Sequence, residues 1–332
     1  MTGPSTALRT GLLTTSVGSF PKPDYLAEAR NLAIQGKLAQ QELWDLEKRA
    51  TAEWIRVQEE IGLDILVHGE MERGDMVAYF AEKLPGSMKL GGLVRSYGNR
   101  YYRKPIVVDR LRWEGPMTVG MWRYAQGLTD RPVKGMLTGP YTIIDWSFLE
   151  HYEDRRQAVL DMARIIHREA LELERAGARY IQIDEPAVST RPEEMPLASE
   201  ALAIVTEGLT AKTVTHICYG DFAAVIDQIL ALPIDQLDLE TANSNYDLLE
   251  LLRGRSFAKE IAVGVLDVHS HVTETVEQVK RGIRRALEII PPERLYIDPD
   301  CGLKTRTPEE AVAKLRVMVQ AVRQVKGDLG LA

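Results

Sequence analysis

Four side chains in the second half of the sequence have the types and spacing of a metal site. The chain has two cysteines, and Cys218 comes two residues after His216. Cys301 and Glu240 each follow a short apolar run. Residues two apart in an extended segment point to the same side, so His216 and Cys218 can share one ion. With Glu240 and Cys301 they supply two thiolates, one imidazole and one carboxylate, which is a donor set for zinc.

This donor set favours the transfer of an alkyl group to a thiol. Zinc lowers the pKa of a bound thiol, and anionic protein ligands keep that sulfur electron-rich. Glu240 is a harder and more replaceable ligand than a thiolate, so a substrate sulfur can take its place. A closed structural zinc site and a zinc hydrolase are the alternatives. Hydrolases usually combine histidine and carboxylate ligands with water in an open position, so the two thiolates count against that class.

The candidate ligands need a scaffold that gathers them from separate segments, and the sequence predicts one. Short apolar runs alternate with helical stripes of period three to four, which indicates parallel strands joined by helices. The predicted strands cover residues 12–17, 64–68, 134–137, 179–183, 212–215, 236–239, 262–266 and 294–297. Eight such units predict an α/β fold of the (β/α)₈ TIM-barrel type, whose reactive groups stand at the carboxyl ends of the strands. We expect one domain over residues 1–332, with a β-hairpin inserted at about 91–115.

Composition narrows the class of protein. A hydrophobic share of 45% and a charged share of 27% are ordinary for a globular protein with a sizeable core. The net charge of −7, without a basic stripe, disfavours nucleic acid as a partner. No window approaches a membrane span, and residues 1–9 lack the apolar run of a secretory signal, so we expect no membrane association and a cytoplasmic location.

Several motifs, in their order along the chain, resemble those of a known family. The matching stretches are Thr15-Ser16-Val17-Gly18-Ser19-Phe20-Pro21, Leu66-Val67-His68-Gly69-Glu70, Leu137-Thr138-Gly139-Pro140, Ile181-Gln182-Ile183-Asp184-Glu185-Pro186-Ala187, Thr215-His216-Ile217-Cys218-Tyr219 and Asp298-Pro299-Asp300-Cys301-Gly302-Leu303-Lys304-Thr305-Arg306. They run from near the start of the chain to near its end. The chain thus resembles the C-terminal catalytic half of cobalamin-independent methionine synthase.

The resemblance implies a zinc-dependent barrel that methylates homocysteine to methionine. By motif, the family's zinc ligands fall on His216, Cys218, Glu240 and Cys301, the set already chosen on chemical grounds. The family's amino-acid pocket maps onto Glu70 and Asp184 for the substrate ammonium, with the backbone from Val17 to Ser19 near the carboxylate. Two carboxylates facing an ammonium make charge-assisted hydrogen bonds.

Two further residues correspond to family positions on the donor side. His269 resembles the histidine that helps to protonate the departing methyl carrier, and Trp146 resembles the aromatic residue beside the pterin.

The methyl donor is the point at which the sequence departs from the family pattern. The full-length enzyme has an additional N-terminal barrel that helps to bind polyglutamylated folate, and 332 residues leave no room for it. Short relatives are thought to use methylcobalamin or a corrinoid protein, so we expect methylcobalamin or a methylated corrinoid partner as the donor. The alternatives are 5-methyltetrahydrofolate as donor, another thiol such as coenzyme M as acceptor, and a non-enzymatic zinc-stabilised subunit that docks a methyl-carrier protein.

Overall fold

The computed structural model describes residues 11–95, 101–218 and 222–331, and eight of its strands form one parallel sheet. The strands are β1 (Leu13–Thr14), β2 (Leu66–Val67), β3 (Met88–Arg95), β4 (Tyr101–Val107), β5 (Val133–Thr138), β6 (Phe148–Leu149), β7 (Tyr180–Asp184), β8 (Lys212–Ile217), β9 (Gln236–Leu239), β10 (Glu260–Gly264) and β11 (Leu295–Asp298). The order in the large sheet is β1-β11-β10-β9-β8-β7-β5-β2. Each neighbouring pair is parallel, as strand–helix–strand units require.

Hydrogen bonds join the two ends of this sheet. The backbone N–H groups of Asp64 and Ile65 donate to the Thr14 carbonyl at 3.1 and 3.0 Å. Beyond the strands, Ser19 and Gly69 form a parallel bridge. The sheet therefore curls round on itself, and the prediction of a (β/α)₈ barrel is confirmed.

Helices cover the outside of the barrel. They are α1 (Asp24–Ile34), α2 (Gln40–Ile61), α3 (Ala78–Glu82), α4 (Val119–Gln126), α5 (Pro140–Asp145), α6 (Arg155–Ala176), α7 (Met195–Thr206), α8 (Ile226–Leu230), α9 (Asp247–Leu252), α10 (Val276–Leu287) and α11 (Pro308–Asp328). Local signals set several of their ends. Gly62 ends α2 with a φ of 95°, which an L side chain rarely adopts, and Thr307 caps α11 by accepting a hydrogen bond from the Glu310 N–H. Among the described residues, none of these helices has the length and apolar character needed to cross a membrane.

The barrel interior changes character along its axis. Alternate residues of a strand face inward, and at the amino end Leu13, Ile65, Tyr180, Ala262 and Tyr296 form an apolar cluster of their own. The next inward layer is polar and buried, and it consists of Lys134, Gln182, Asp238 and Asp298. The predicted metal ligands stand above this polar layer, at the carboxyl end.

The insertion differs from the predicted hairpin over 91–115. Strands β3 and β4 pair antiparallel from Met88 to Val107, and β6 adds to β4 as a parallel third strand. Gly91 and Gly92 lie inside β3, where the register shifts between Leu90 and Leu93. Glycine accommodates such an irregularity without ending the strand. The turn at 96–100 lies outside the described residues, and the expectation of a single domain stays a prediction.

The first two barrel strands are shorter than predicted. Only Leu13–Thr14 and Leu66–Val67 are regular strand, in place of residues 12–17 and 64–68. The residues after each of these two strands no longer pair regularly and extend toward the barrel mouth. A single bridge between Ser19 and Gly69 continues the pairing there. Short runs of apolar residues do not show where a strand gives way to such an extended mouth segment.

Candidate metal centre and amino-acid pocket

Three of the four predicted metal ligands meet at the carboxyl end of the barrel. His216 lies in β8 and Cys218 directly follows it, while Cys301 lies three residues beyond β11. One donor atom from each of these residues lies within 4.8 Å of the other two. His216 and Cys218 are buried and Cys301 is partly buried. The order of the sheet brings these segments together although 83 residues of sequence separate the two cysteines, counted from 218 to 301.

Glu240 lies beside this group but outside it. The residue follows β9 directly and is buried, and its Oε1 accepts a hydrogen bond from Asn243 Nδ2 at 2.6 Å. Its Oε2 is buried without a hydrogen-bond partner among the described residues. Asp300 holds the same turn by accepting hydrogen bonds from the backbone N–H groups of Thr241, Ala242 and Asn243. Glu240 thus has one oxygen fixed and one available for a ligand.

The two sulfurs differ in their proton affinity. A hydrogen bond with Cys218 is the main cause that holds the pKa of the Cys301 thiol well below its ordinary value, and His216 acts in the same direction. The same sulfur–sulfur contact, together with burial, raises the pKa of Cys218. The pair therefore favours the thiolate form at Cys301, and a thiolate is the form that ligates zinc.

Unpartnered polar atoms concentrate here. Among the described residues, thirteen buried side-chain nitrogen and oxygen atoms lack a well-aligned hydrogen bond, and seven of them belong to His216, Asp238, Glu240 and Asp298. Buried polar groups are normally satisfied, so a concentration of exceptions indicates a missing ion or water. With two sulfurs and one imidazole at its centre, the donor set fits zinc better than a hard cation.

Sequence reasoning missed the charged layer below these ligands. Asp238, Asp298 and Lys134 are buried, and Asp238 Oδ1 lies 3.1 Å from His216 Nδ1. Burial alone lowers the pKa of His216, but the charges of Asp238 and Cys218 outweigh it and raise that pKa well above its usual value. The available signal was strand alternation, which places Asp238 on the same inward face as Glu240.

The predicted ammonium pocket lies beside the metal ligands, since Asp184 ends β7, the strand next to β8. Glu70 has a φ of +58°, uncommon for a residue with a side chain, and its Oε1 lies 3.6 Å from Arg73 Nη1. Asp184 is buried and accepts a hydrogen bond from Gln182 Nε2 at 2.8 Å. Burial raises the pKa of Asp184 to about 7, with the charge of Glu70 adding to the shift and His216 opposing it. Two neighbouring carboxylates form a suitable receptor for a cation.

The backbone predicted to face the substrate carboxylate joins the pocket to the metal ligands. The Val17 carbonyl accepts a hydrogen bond from Gln182 Nε2 at 2.8 Å. The Ser19 carbonyl accepts one at 2.8 Å from the N–H of Leu303, two residues after Cys301. A Cβ added at Gly302 would lie 2.1 Å from Ser19 Oγ, so the close approach of these two segments requires glycine.

The two residues predicted on the donor side follow barrel strands β5 and β10. Trp146 ends α5, packs partly against the core, and accepts a hydrogen bond at its carbonyl from Tyr102 Oη at 3.2 Å. His269 follows β10, and its Nε2 lies 4.0 Å from Glu240 Oε1. The structure therefore brings His269 beside the candidate metal ligands, while Trp146 stands at the end of the β5 unit. Their roles stay predictions.

Comparison with known proteins agrees with this geometry. Residues 12–324 match the family model for the cobalamin-independent synthase catalytic domain. A methionine synthase of Saccharolobus solfataricus is 40% identical over 96% of both chains. A 5-methyltetrahydropteroyltriglutamate–homocysteine methyltransferase of Mycobacterium leprae is also 40% identical, but the matched region spans only 43% of that protein. The structure of a B12-independent methionine synthase from Shewanella sp. W3-18-1, in complex with selenomethionine, has a TM-score of 0.87 at 30% identity and covers 97% of this chain and 100% of that one.

These matches correct two of the expectations from sequence. Methylcobalamin and a corrinoid protein partner are not supported, because the matching family is described as cobalamin-independent and the Mycobacterium leprae relative is named for a pteroyl donor. The docking-subunit alternative is wrong, since the match covers a catalytic domain and the relatives are enzymes. The chain belongs to the family of cobalamin-independent synthase catalytic domains, and it is a methyltransferase.

Proposed function

We propose that this protein methylates the thiol of homocysteine to give methionine, with a 5-methyltetrahydropteroylglutamate as the methyl donor and with zinc at His216, Cys218, Glu240 and Cys301. The observation that carries the proposal is the pairing of two sites in one barrel mouth. A buried cluster of two sulfurs and an imidazole lies beside a pocket with two carboxylates. Homocysteine carries a thiol and an ammonium, so it matches both sites.

The amino-acid end of the substrate is held by Glu70 and Asp184. Their carboxylates accept charge-assisted hydrogen bonds from the ammonium, and Arg73 keeps Glu70 in place through the 3.6 Å ion pair. Backbone groups from Val17 to Ser19 meet the substrate carboxylate. The Shewanella neighbour was solved with selenomethionine, an analogue of the proposed product, which supports an amino-acid pocket in this fold.

The metal ligands account for activation of the thiol. Two cysteine sulfurs, the free imidazole nitrogen of His216 and the unpartnered Oε2 of Glu240 supply four donors of the kinds that zinc accepts. A zinc ion held by these residues would lower the pKa of the substrate thiol and so supply a thiolate near neutral pH. Glu240 is the most replaceable of the four because its other oxygen already has a partner in Asn243.

Transfer of the methyl group is a nucleophilic displacement at its carbon. The homocysteine sulfur forms a bond to the methyl carbon, the bond from that carbon to N5 of the pterin breaks, and the electron pair stays on N5. That nitrogen then needs a proton, and His269, whose Nε2 lies 4.0 Å from Glu240 Oε1, is the residue that we propose supplies it. Trp146 offers an aromatic face for the pterin ring.

A donor and acceptor screen tests the proposal. Purified protein with zinc is incubated with homocysteine and, in separate reactions, monoglutamyl methyltetrahydrofolate, triglutamyl methyltetrahydrofolate, methylcobalamin or a methylated corrinoid protein. We expect methionine from the pteroyl donors. Methionine from the cobalamin donors alone would contradict the proposed donor but leave the acceptor intact.

The acceptor is tested in the same way. Coenzyme M has a sulfonate in place of the amino-acid group, so Glu70 and Asp184 would have no ammonium to hold. We expect homocysteine to be the better methyl acceptor by a wide margin. Faster methylation of coenzyme M would contradict the assignment of the ammonium pocket.

A further inference from the structure

The polar layer below the metal ligands has no part in the reaction as described above. Asp238 and Asp298 are completely buried, and Lys134 is 2% exposed. Charged groups are rarely buried this deeply unless they are paired, because removing them from water is costly. Most barrels of this type fill the same space with branched apolar side chains. The presence of three buried charged residues in this layer therefore needs a specific explanation.

Asp238 is aligned with the metal ligand His216. The two residues are register partners on the neighbouring strands β8 and β9, so their side chains point into the barrel side by side. The Nδ1 atom of His216 lies 3.1 Å from Asp238 Oδ1, which is within hydrogen-bond distance, although the two atoms are not aligned for a hydrogen bond as they stand. A ring whose Nδ1–H is directed at Asp238 has only Nε2 left for a metal.

Lys134 offsets the cost of burying the two carboxylates Asp238 and Asp298. It is buried in the same layer, and its charge interacts with Asp238, Asp298 and Asp184. The Nζ atom donates a hydrogen bond to Gln182 Oε1 at 2.5 Å. The amide of Gln182 in turn donates to the Val17 carbonyl and to Asp184, so Lys134 also connects the metal side to the amino-acid pocket.

We propose that Asp238 is a positioning residue that accepts a hydrogen bond from His216 Nδ1–H and so directs Nε2 toward the sulfurs of Cys218 and Cys301, with Lys134 holding the Asp238–Asp298 pair in place. The inference rests on the proposed zinc site and deepens it. Carboxylates that orient a histidine ligand in this way fix its tautomer and raise its affinity for the metal. Asp238 touches neither substrate nor metal.

Zinc affinity is the first test. Asp238→Ala, Asp238→Asn and wild type are titrated with zinc against a chromophoric chelator, and Glu260→Ala serves as the matched control. Glu260 is a carboxylate at the other end of the barrel interior, where it pairs with Lys212. We expect zinc to bind Asp238→Ala about 10–100-fold more weakly than wild type, Asp238→Asn to keep part of the affinity because its amide oxygen still accepts, and Glu260→Ala to bind normally.

The protonation and metal binding of the two His216 ring nitrogens are the second test. Long-range ¹H–¹⁵N correlation spectra of the six histidines, with His216 assigned from a His216→Asn variant, report which nitrogen holds zinc. We expect Nε2 bound and Nδ1 protonated in wild type. Zinc bound through Nδ1, or equal zinc affinity for Asp238→Ala and Glu260→Ala, would overturn the positioning role while leaving the zinc site intact. Failure of wild type to bind zinc would overturn both proposals. If Asp238→Ala does not fold, Asp238→Asn decides by the same two readouts.

Discussion

Methionine binding to the zinc-free protein should depend on pH through Asp184. The pKa of this buried carboxyl is raised to about 7, mainly by burial. Below that pH the group is protonated and neutral, and above it the group is a carboxylate that attracts an ammonium. Acidification therefore weakens the ammonium pocket, and the raised pKa of Asp184 brings this loss into the range around pH 7. The free amino acid keeps its ammonium charge from pH 6 to pH 8.

The size of the effect follows from the titration. With a pKa of about 7, the ionised fraction is about 0.09 at pH 6 and about 0.91 at pH 8. If the bound ammonium requires ionised Asp184, the dissociation constant for methionine is about tenfold larger at pH 6 than at pH 8, or about 1.4 kcal/mol. Glu70 remains to hold the ammonium, so binding weakens without being abolished.

Isothermal titration calorimetry with methionine at both pH values measures this change. Asp184→Asn should bind methionine weakly at pH 8 and show little difference between the two pH values. Glu260→Gln, which removes a carboxylate from the opposite end of the barrel interior, should retain the wild-type pH dependence. Equal affinity of wild type at pH 6 and pH 8, or wild-type affinity in Asp184→Asn, would refute the assignment of Asp184 to the ammonium.

Three further predictions concern the metal, the proton and the fold. Cys301→Ser should lose stoichiometric zinc, measured by metal analysis, together with methionine formation, because the thiolate with the lowered pKa is gone. His269→Asn should lower kcat about a hundredfold while zinc content and methionine affinity stay unchanged, and an unchanged kcat would exclude it as the proton donor. Gly264→Ala places a Cβ 2.7 Å from the Asp300 Cα, so chemical denaturation should show a loss of about 2–3 kcal/mol, whereas Gly92→Ala, with open space around it, should cost much less.

Much of the site could be predicted because parallel strands deliver their carboxyl ends to one place. The His216–Cys218 pair is far from Cys301 in sequence, yet all three residues were recognisable as polar residues that end apolar runs, and the structure brings their donor atoms together. Glu240 was recognisable in the same way. The position of the Glu240 side chain outside the His216, Cys218 and Cys301 group depends on its hydrogen bond from Asn243 and on the turn that Asp300 holds through the Thr241 N–H. Hydrophobic periodicity reveals neither contact.

The polar layer could not be predicted from the same patterns. Lys134, Asp238 and Asp298 occur within or at the ends of otherwise apolar strands, and sequence does not show which inward position lies below the mouth and which lies in it. The hairpin bounds failed for another reason. Two consecutive glycines, Gly91 and Gly92, locally indicate the end of a strand, whereas pairing with β4 continues β3 through both residues. In both cases the deciding contacts come from residues distant in the chain.

Zinc-dependent formation of methionine tests the central claim most directly. The protein is stripped with a chelator, then titrated with zinc in the presence of homocysteine and triglutamyl methyltetrahydrofolate, and methionine is quantified at each point. We predict no turnover in the stripped protein and a linear rise that ends at one zinc per chain, with no recovery on adding magnesium. Full methionine formation by the zinc-free protein would contradict the account.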